Sequence, residues 1–228
     1  MDEIKRIDRV QDYNEYIGVD TLHPLVSVIK FNEIPAVISY KMYLGIYAVF
    51  LKNIKCGNIT YGCQPYDYED GTLVFVSPGQ VYGIDSKGVS VKPSGYALVF
   101  HPDLIKGTSL GKNIKEYSFF SYETNEALHL SKKERRTIVD CLEKIAEEIE
   151  QNIDKHSKTL IVSNIELFLN YCMRFYDRQF ITRSNENKDI LMRFENLLDD
   201  YFKSGKAEQM GLPSVSWCAE QLFLSPNY

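Results

Sequence analysis

The sequence predicts an α+β protein, with a β-barrel or β-sandwich first and helices after it. Three observations predict it. Between about Leu25 and Phe100, short stretches rich in Val, Ile, Tyr and Phe are punctuated by Gly, Pro, Asn and Asp, with no helical period between them. From Ser131 onward, apolar residues recur three and four apart among charged ones. The 228 residues are 44% hydrophobic and 25% charged, the balance of a soluble chain that buries a sizeable core.

The strand signals run in order: "LVSVIKF" (25–31), "YLGIYAVFL" (43–51), "GNITYG" (57–62), "GTLVFVSPGQVYGI" (71–84) and "GYALVF" (95–100). Short, regular spacing favours a barrel or sandwich over alternating β-α units. In "LSKKERRTIVDCLEKIAEEIEQN", Ser131 is the expected N-cap and Glu134 completes a capping box. Ile138, Leu142, Ile145 and Ile149 then follow at 4-3-4 spacing. That stripe either covers a neighbouring helix or forms a two-fold dimer seam. A second, greasier helix is expected over 157–180, with Ile161, Ile165, Phe168, Leu169, Cys172, Phe175 and Tyr176 in its apolar arc. A third is expected over 187–204, after a polar break at "ITRSNEN" (181–187), with Gly205 as its stop. The final stretch, "GLPSVSWCAEQLFLSPNY" (211–228), reads as the first helix and turn of a helix-turn-helix. Three segments follow: a barrel over 1–130, a helical linker over 131–205, and the start of a helix-turn-helix over 206–228.

Net charge is −5, a poor balance for strong DNA binding by these residues alone. Five cysteines with no CxxC read as free thiols in a reducing cytoplasm. The first residues carry no apolar signal region, and no run of about 18 apolar residues offers a membrane span, so a cytoplasmic protein is expected.

Few residues carry catalytic chemistry. A barrel followed by helices raises the question of a metal-dependent cupin enzyme, which holds its metal with clustered histidines and a carboxylate. His23, His101, His129 and His156 are scattered, so no metal and no cofactor is expected, and each histidine reads as structural. There is no GxSxG elbow, no phosphate loop and no GxGxxG, so no catalytic residue is assigned. Cys63 reads as a plain thiol, and Asp67, Glu69 and Asp70, between Pro65 and Gly71, as a solvated turn. Tyrosine is abundant in the β region, and it offers both a stacking face and a hydroxyl. Tyr47, Tyr43, Tyr61 and Tyr66 are the candidates for a pocket that takes a small polar effector, a sugar or another metabolite. Alternation places Tyr43, Gly45, Tyr47, Val49 and Leu51 on one face of a single strand.

"GTLVFVSPGQVYGI", "GYALVFHPDLIKGT" (95–108), "FFSYETNEALHLSKKER" (119–135), "NIELFLNYCMRFYDRQF" and "GLPSVSWCAEQLFLSPNY" occur in that order. Together they resemble AraC-type bacterial transcription regulators, nearest to Bacteroides-type members. The resemblance implies a cupin-like effector domain, helices used for dimerisation, and a DNA-binding domain with two helix-turn-helix units. Only the front of the first unit is present here. Val215, Ala219 and Leu222 would form the packing face of its first helix, and Ser225 would cap the next. Base-reading residues lie beyond this sequence, so promoter DNA is expected as a partner of the whole protein only, bound as a homodimer. The rivals are a metal-dependent cupin enzyme and a ligand-free barrel that serves as an interaction scaffold.

Overall fold

The computed structural model describes residues 4–34, 40–52, 58–61, 64–65, 71–85, 92–120, 127–205 and 211–223. The protein is of mixed α+β class and divides into two compact units, Met1–Tyr176 and Asp177–Tyr228.

The first unit holds two five-stranded sheets. One runs in the order β1 (Lys5–Ile7), β3 (Tyr40–Leu44), β8 (Gln80–Asp85), β5 (Asn58–Tyr61), β6 (Gln64–Pro65). The other runs β10 (Leu128–His129), β7 (Thr72–Val76), β4 (Tyr47–Lys52), β9 (Gly95–Phe100), β2 (Val26–Lys30). All pairings are antiparallel except β1 with β3. Among the described residues the two sheets share no strand, so no closed barrel is described.

The expected strand over 43–51 is in fact two. It breaks at Gly45–Ile46, and β3 and β4 go to different sheets. Gly45 is needed at that corner because a Cβ there would lie 2.7 Å from Asp8 Oδ1 and 3.2 Å from the Asp8 backbone. The segment 71–84 is likewise a pair of strands, β7 and β8, separated by the turn at "SPG".

Alternation along the second sheet sorts its side chains onto two buried faces. Ala48, Phe50, Val74, Val76, Ala97, Val99 and Ile29 pack against Met42, Leu44 and Tyr82 of the first sheet. Val49, Leu51, Leu73, Phe75, Leu98, Phe100 and Val26 pack against helices α4 (Lys132–Glu150) and α5 (Ser157–Lys203). Both faces are apolar, which explains why these strands read as continuous hydrophobic runs rather than half-polar ones. Each fully buried Val, Leu, Ile or Phe contributes about 1.5–3 kcal/mol of transfer free energy.

Helix α4 starts as expected: Ser131 Oγ accepts the Glu134 N–H and the Ser131 N–H donates to Glu134 Oε2 at 2.8 Å. The expected domain boundary at 130 cuts through one core, because α4 and the first part of α5 share a cluster with the sheet. The expected break at 181–187 is absent, and α5 runs unbroken for 47 residues. Thr, Ser and Asn weaken a helix by only a few tenths of a kcal/mol each, and the segment holds neither Pro nor Gly to stop it. Helix α1 (Val10–Ile17) packs Val10 and Tyr13 into the core between the sheets. Two short helices, α2 (Pro102–Ile105) and α3 (Ser109–Asn113), follow β9.

In the second unit, helix α6 (Val215–Leu222) is capped by Ser214, whose Oγ accepts the Trp217 N–H at 3.2 Å. Its buried face is Cys218, Ala219 and Leu222. Val215 does not join that face and is 73% exposed. It is the first helical residue, and its Cβ tilts past the helix end rather than onto the partner helix. Ring contact between Tyr201 and Trp217 at 4.9 Å and a Tyr201 hydroxyl bond to Gly211 O at 2.9 Å hold α6 to the end of α5. Ser225 lies outside the described residues. Among the described residues, no helix is long and apolar enough to cross a membrane.

Candidate functional site

Four residues at one end of the second sheet's inner face form a row. Strand register sets Gly95 opposite Lys52, Lys52 opposite Thr72, and Thr72 opposite His129, across β9, β4, β7 and β10. Each has the parity of an inward neighbour: Ala97 for Gly95, Phe50 for Lys52, Val74 for Thr72 and Ala127 for His129. The row therefore faces the space between the sheets, at one end of an otherwise apolar layer. Lys52 is 3% exposed and Thr72 fully buried. The Lys52 ammonium lies 5.4 Å from the ring centre of Tyr82, which reaches in from the first sheet. Phe50 stacks on the same Tyr82 ring at 4.7 Å. Thr72 Oγ1 stands 3.4 Å from His129 Nδ1.

A buried ammonium costs several kcal/mol in lost hydration. A desolvated cation over an aromatic face recovers roughly 2 kcal/mol of that. Ammonium, hydroxyl and imidazole along one row, with the Tyr82 ring beside the ammonium, supply a charge and several polar groups. That set suits a small anionic or polyhydroxylated ligand.

The tyrosines singled out from sequence are elsewhere. Tyr47 packs on the helix side of the second sheet, stacked on Phe100 at 4.9 Å and edge-on to Phe120 at 5.2 Å. Burial pushes its phenol above the ordinary value of 10.0. Tyr43 alternates with the inward Met42 and Leu44, so it faces out from the first sheet, where the Arg6 guanidinium lies 5.1 Å from its ring centre. The two are not on one face, because the strand that was to carry both is broken at Gly45. Tyr61 pairs through its backbone with Tyr82 of β8, and its side chain lies outside the described residues, as does all of Tyr66. Cys63 and the acidic turn at 67–70 lie outside them too.

Ile138, Leu142, Ile145 and Ile149 are 0–7% exposed, inside the cluster that joins α4 and α5 to the sheet. Within the single chain the stripe is thus an intramolecular packing face. His23 and His101 act locally: Nδ1 of each accepts a backbone N–H two residues on, from Leu25 and Asp103, both at 3.1 Å. Burial holds His23 below its ordinary value of 6.5, which keeps that acceptor nitrogen free of a proton. Among the described residues, no three His, Cys, Asp or Glu side chains converge to hold a metal ion. Cys141, Cys172 and Cys218 are buried free thiols, and burial pushes Cys172 well above the ordinary range.

Sequence reading missed Lys52, Thr72, His129 and Tyr82. Part of the signal was present: Lys52 continues the inward alternation Ala48, Phe50, Lys52. The row itself is invisible in one dimension, since His129 is 57 positions from Thr72. No protein-family model matches the chain, and no curated protein matches it.

Proposed function

We propose that this chain is the effector-binding and dimerisation portion of an AraC-type transcription regulator, with the two sheets serving as the walls of a cupin-like barrel. The observation that carries the reading is the polar row Lys52–Thr72–His129 under Tyr82, set in an apolar interior. A sensor of a small polar metabolite uses such a set, one charge with hydroxyl and imidazole groups beside it, to orient its ligand. Two further features support it. Helix α5 supplies packing both to the sheet in the first unit and to α6 in the second. Helix α6 has the N-cap and apolar face of a first helix-turn-helix element. An effector acts through this arrangement only if it binds one conformation more tightly than another.

The test takes the complete gene product and selects sheared fragments of its own genome, with and without pools of small metabolites. The expected result is a discrete set of enriched fragments, with at least one pool changing the enrichment. Lys52→Met is expected to keep DNA binding and lose the metabolite response. No enrichment over random fragments sinks the regulator reading. A metabolite response untouched by Lys52→Met sinks the assignment of the site.

A further inference from the structure

The second sheet ends in β2, whose only strand neighbour among the described residues is β9. The His101 N–H donates to Leu25 O at 2.8 Å, which sets the alternation of the strand. Leu25, Ser27 and Ile29 turn their backbone groups toward β9, and Val26, Val28 and Lys30 turn theirs to the open edge. Free edges are normally blunted by proline, bulges or unpaired inward charges. The stretch Val26–Lys30 has no proline, and its Lys30 is held by Glu143 at 2.9 Å.

This edge lies in a groove of about 340 Å³. One wall is the loop after α1, with Val19, Asp20 and Leu22; the other is the end of α4, with Ala146, Ile149 and Glu150. Ser27 also lines it, nine-tenths buried, and its hydroxyl has no hydrogen-bond partner among the described residues. A slot with raised walls on both sides accepts a single extended segment. A second sheet edge flanked by its own walls would collide with them.

We propose that this groove binds an extended peptide as an added strand on β2, with a lysine or arginine side chain between Asp20 and Glu150. Strand addition supplies main-chain bonds at Val28, and the walls select alternate side chains. One side chain rests on Val28, Ala146 and Ile149, and the next on Val19, Leu22 and Ile29. The two wall carboxylates set the charge, because Lys30, the one cation among the described residues that line the groove, is already paired with Glu143.

The experiment pans a display library of random nonapeptides against residues 1–228 and against the same chain carrying Val28→Pro. The Val28 N–H points away from β9, so proline there spares the sheet's own bonds and removes the donor an added strand needs. Expected are enriched peptides that alternate apolar residues and carry a Lys or Arg. Their affinity should fall at least tenfold on Val28→Pro, and severalfold on Asp20→Asn with Glu150→Gln. Far-UV circular dichroism checks the fold. If Val28→Pro fails to fold, peptides N-methylated at single backbone positions read the same bonds from the other side. No enrichment over the proline variant, or binding indifferent to every N-methyl position, overturns the proposal. So does a wild-type dimer that Val28→Pro dissolves, since the occupant is then a second copy of the chain.

Discussion

Gly95→Ala is the sharpest test of the register that builds the polar row. Gly95 has φ of +119° and lies opposite Lys52. An added Cβ would lie 2.0 Å from Leu51 O, 3.0 Å from Leu51 C and 3.2 Å from Lys52 Cα. All three are backbone atoms, so relief requires β9 to move away from β4. A positive φ in an L-residue costs about 1–2 kcal/mol, and forcing packed elements apart costs about 1–3 kcal/mol more. The sum, roughly 2–5 kcal/mol, is a large part of a typical stability of ~5–15 kcal/mol. The melting temperature should fall by about 4–20 °C, at roughly 2–4 °C per kcal/mol for a chain of this size. Gly79→Ala is the control: its φ is +93° and nothing lies within 4 Å of the added atom, so only the backbone cost applies. Urea unfolding followed by far-UV circular dichroism is the assay. Fluorescence is less suited, because the single tryptophan, Trp217, belongs to the second unit. A Gly95→Ala variant no less stable than Gly79→Ala refutes the close approach of β9 to Leu51, and with it the row.

Three further outcomes are expected. Phe168→Ala, at a fully buried position in the sheet–helix cluster, should cost about 3–5 kcal/mol. Leu167→Ala, at a 42% exposed neighbour, should cost far less; equal losses in urea unfolding would put the α5 face on the wrong side. His23 is held below 6.5 by burial, so its contribution to stability is complete above pH 6.5 and is lost as pH falls through the depressed value. His23→Asn keeps an acceptor for the Leu25 N–H without titrating there, and melting temperatures between neutral and mildly acidic pH should flatten; an unchanged slope removes His23 as the cause. The Glu143 carboxyl is held below 4.5, first by the Tyr96 hydroxyl and then by Lys30. Its contribution is present above 4.5 and lost on acidification below it, so Tyr96→Phe should shrink the acid loss of stability, by roughly 1 kcal/mol or less for a half-exposed group.

Much of the fold was legible in the sequence because local rules decided it. The strand Gly95–Phe100 and the capped start of α4 are set by a short apolar and aromatic run that follows a glycine, and by a two-residue cap. The α5 break was misread because polarity was taken for a stop signal, and polarity without Pro or Gly does not end a helix. The Tyr43–Tyr47 face was misread because one glycine turns the chain between sheets, and its reason, the approach of Asp8, is 37 positions away in a different strand-loop. The candidate site depends on cross-strand register, which a single sequence does not display. The α4 stripe was seen correctly as apolar, but period alone does not say whether a stripe meets its own sheet or another copy.

The regulator reading meets its most direct test in a nuclease footprint of the complete gene product on its best genomic fragment. The expected pattern is two protected half-sites, their centres about 34–36 Å or a multiple apart along the duplex, as a dimer of helix-turn-helix domains requires. Residues 1–228 alone, with a net charge of −5, should leave the same fragment unprotected. Protection by the whole protein in two spaced segments supports an AraC-type regulator; no protection at concentrations that saturate ordinary specific sites contradicts it.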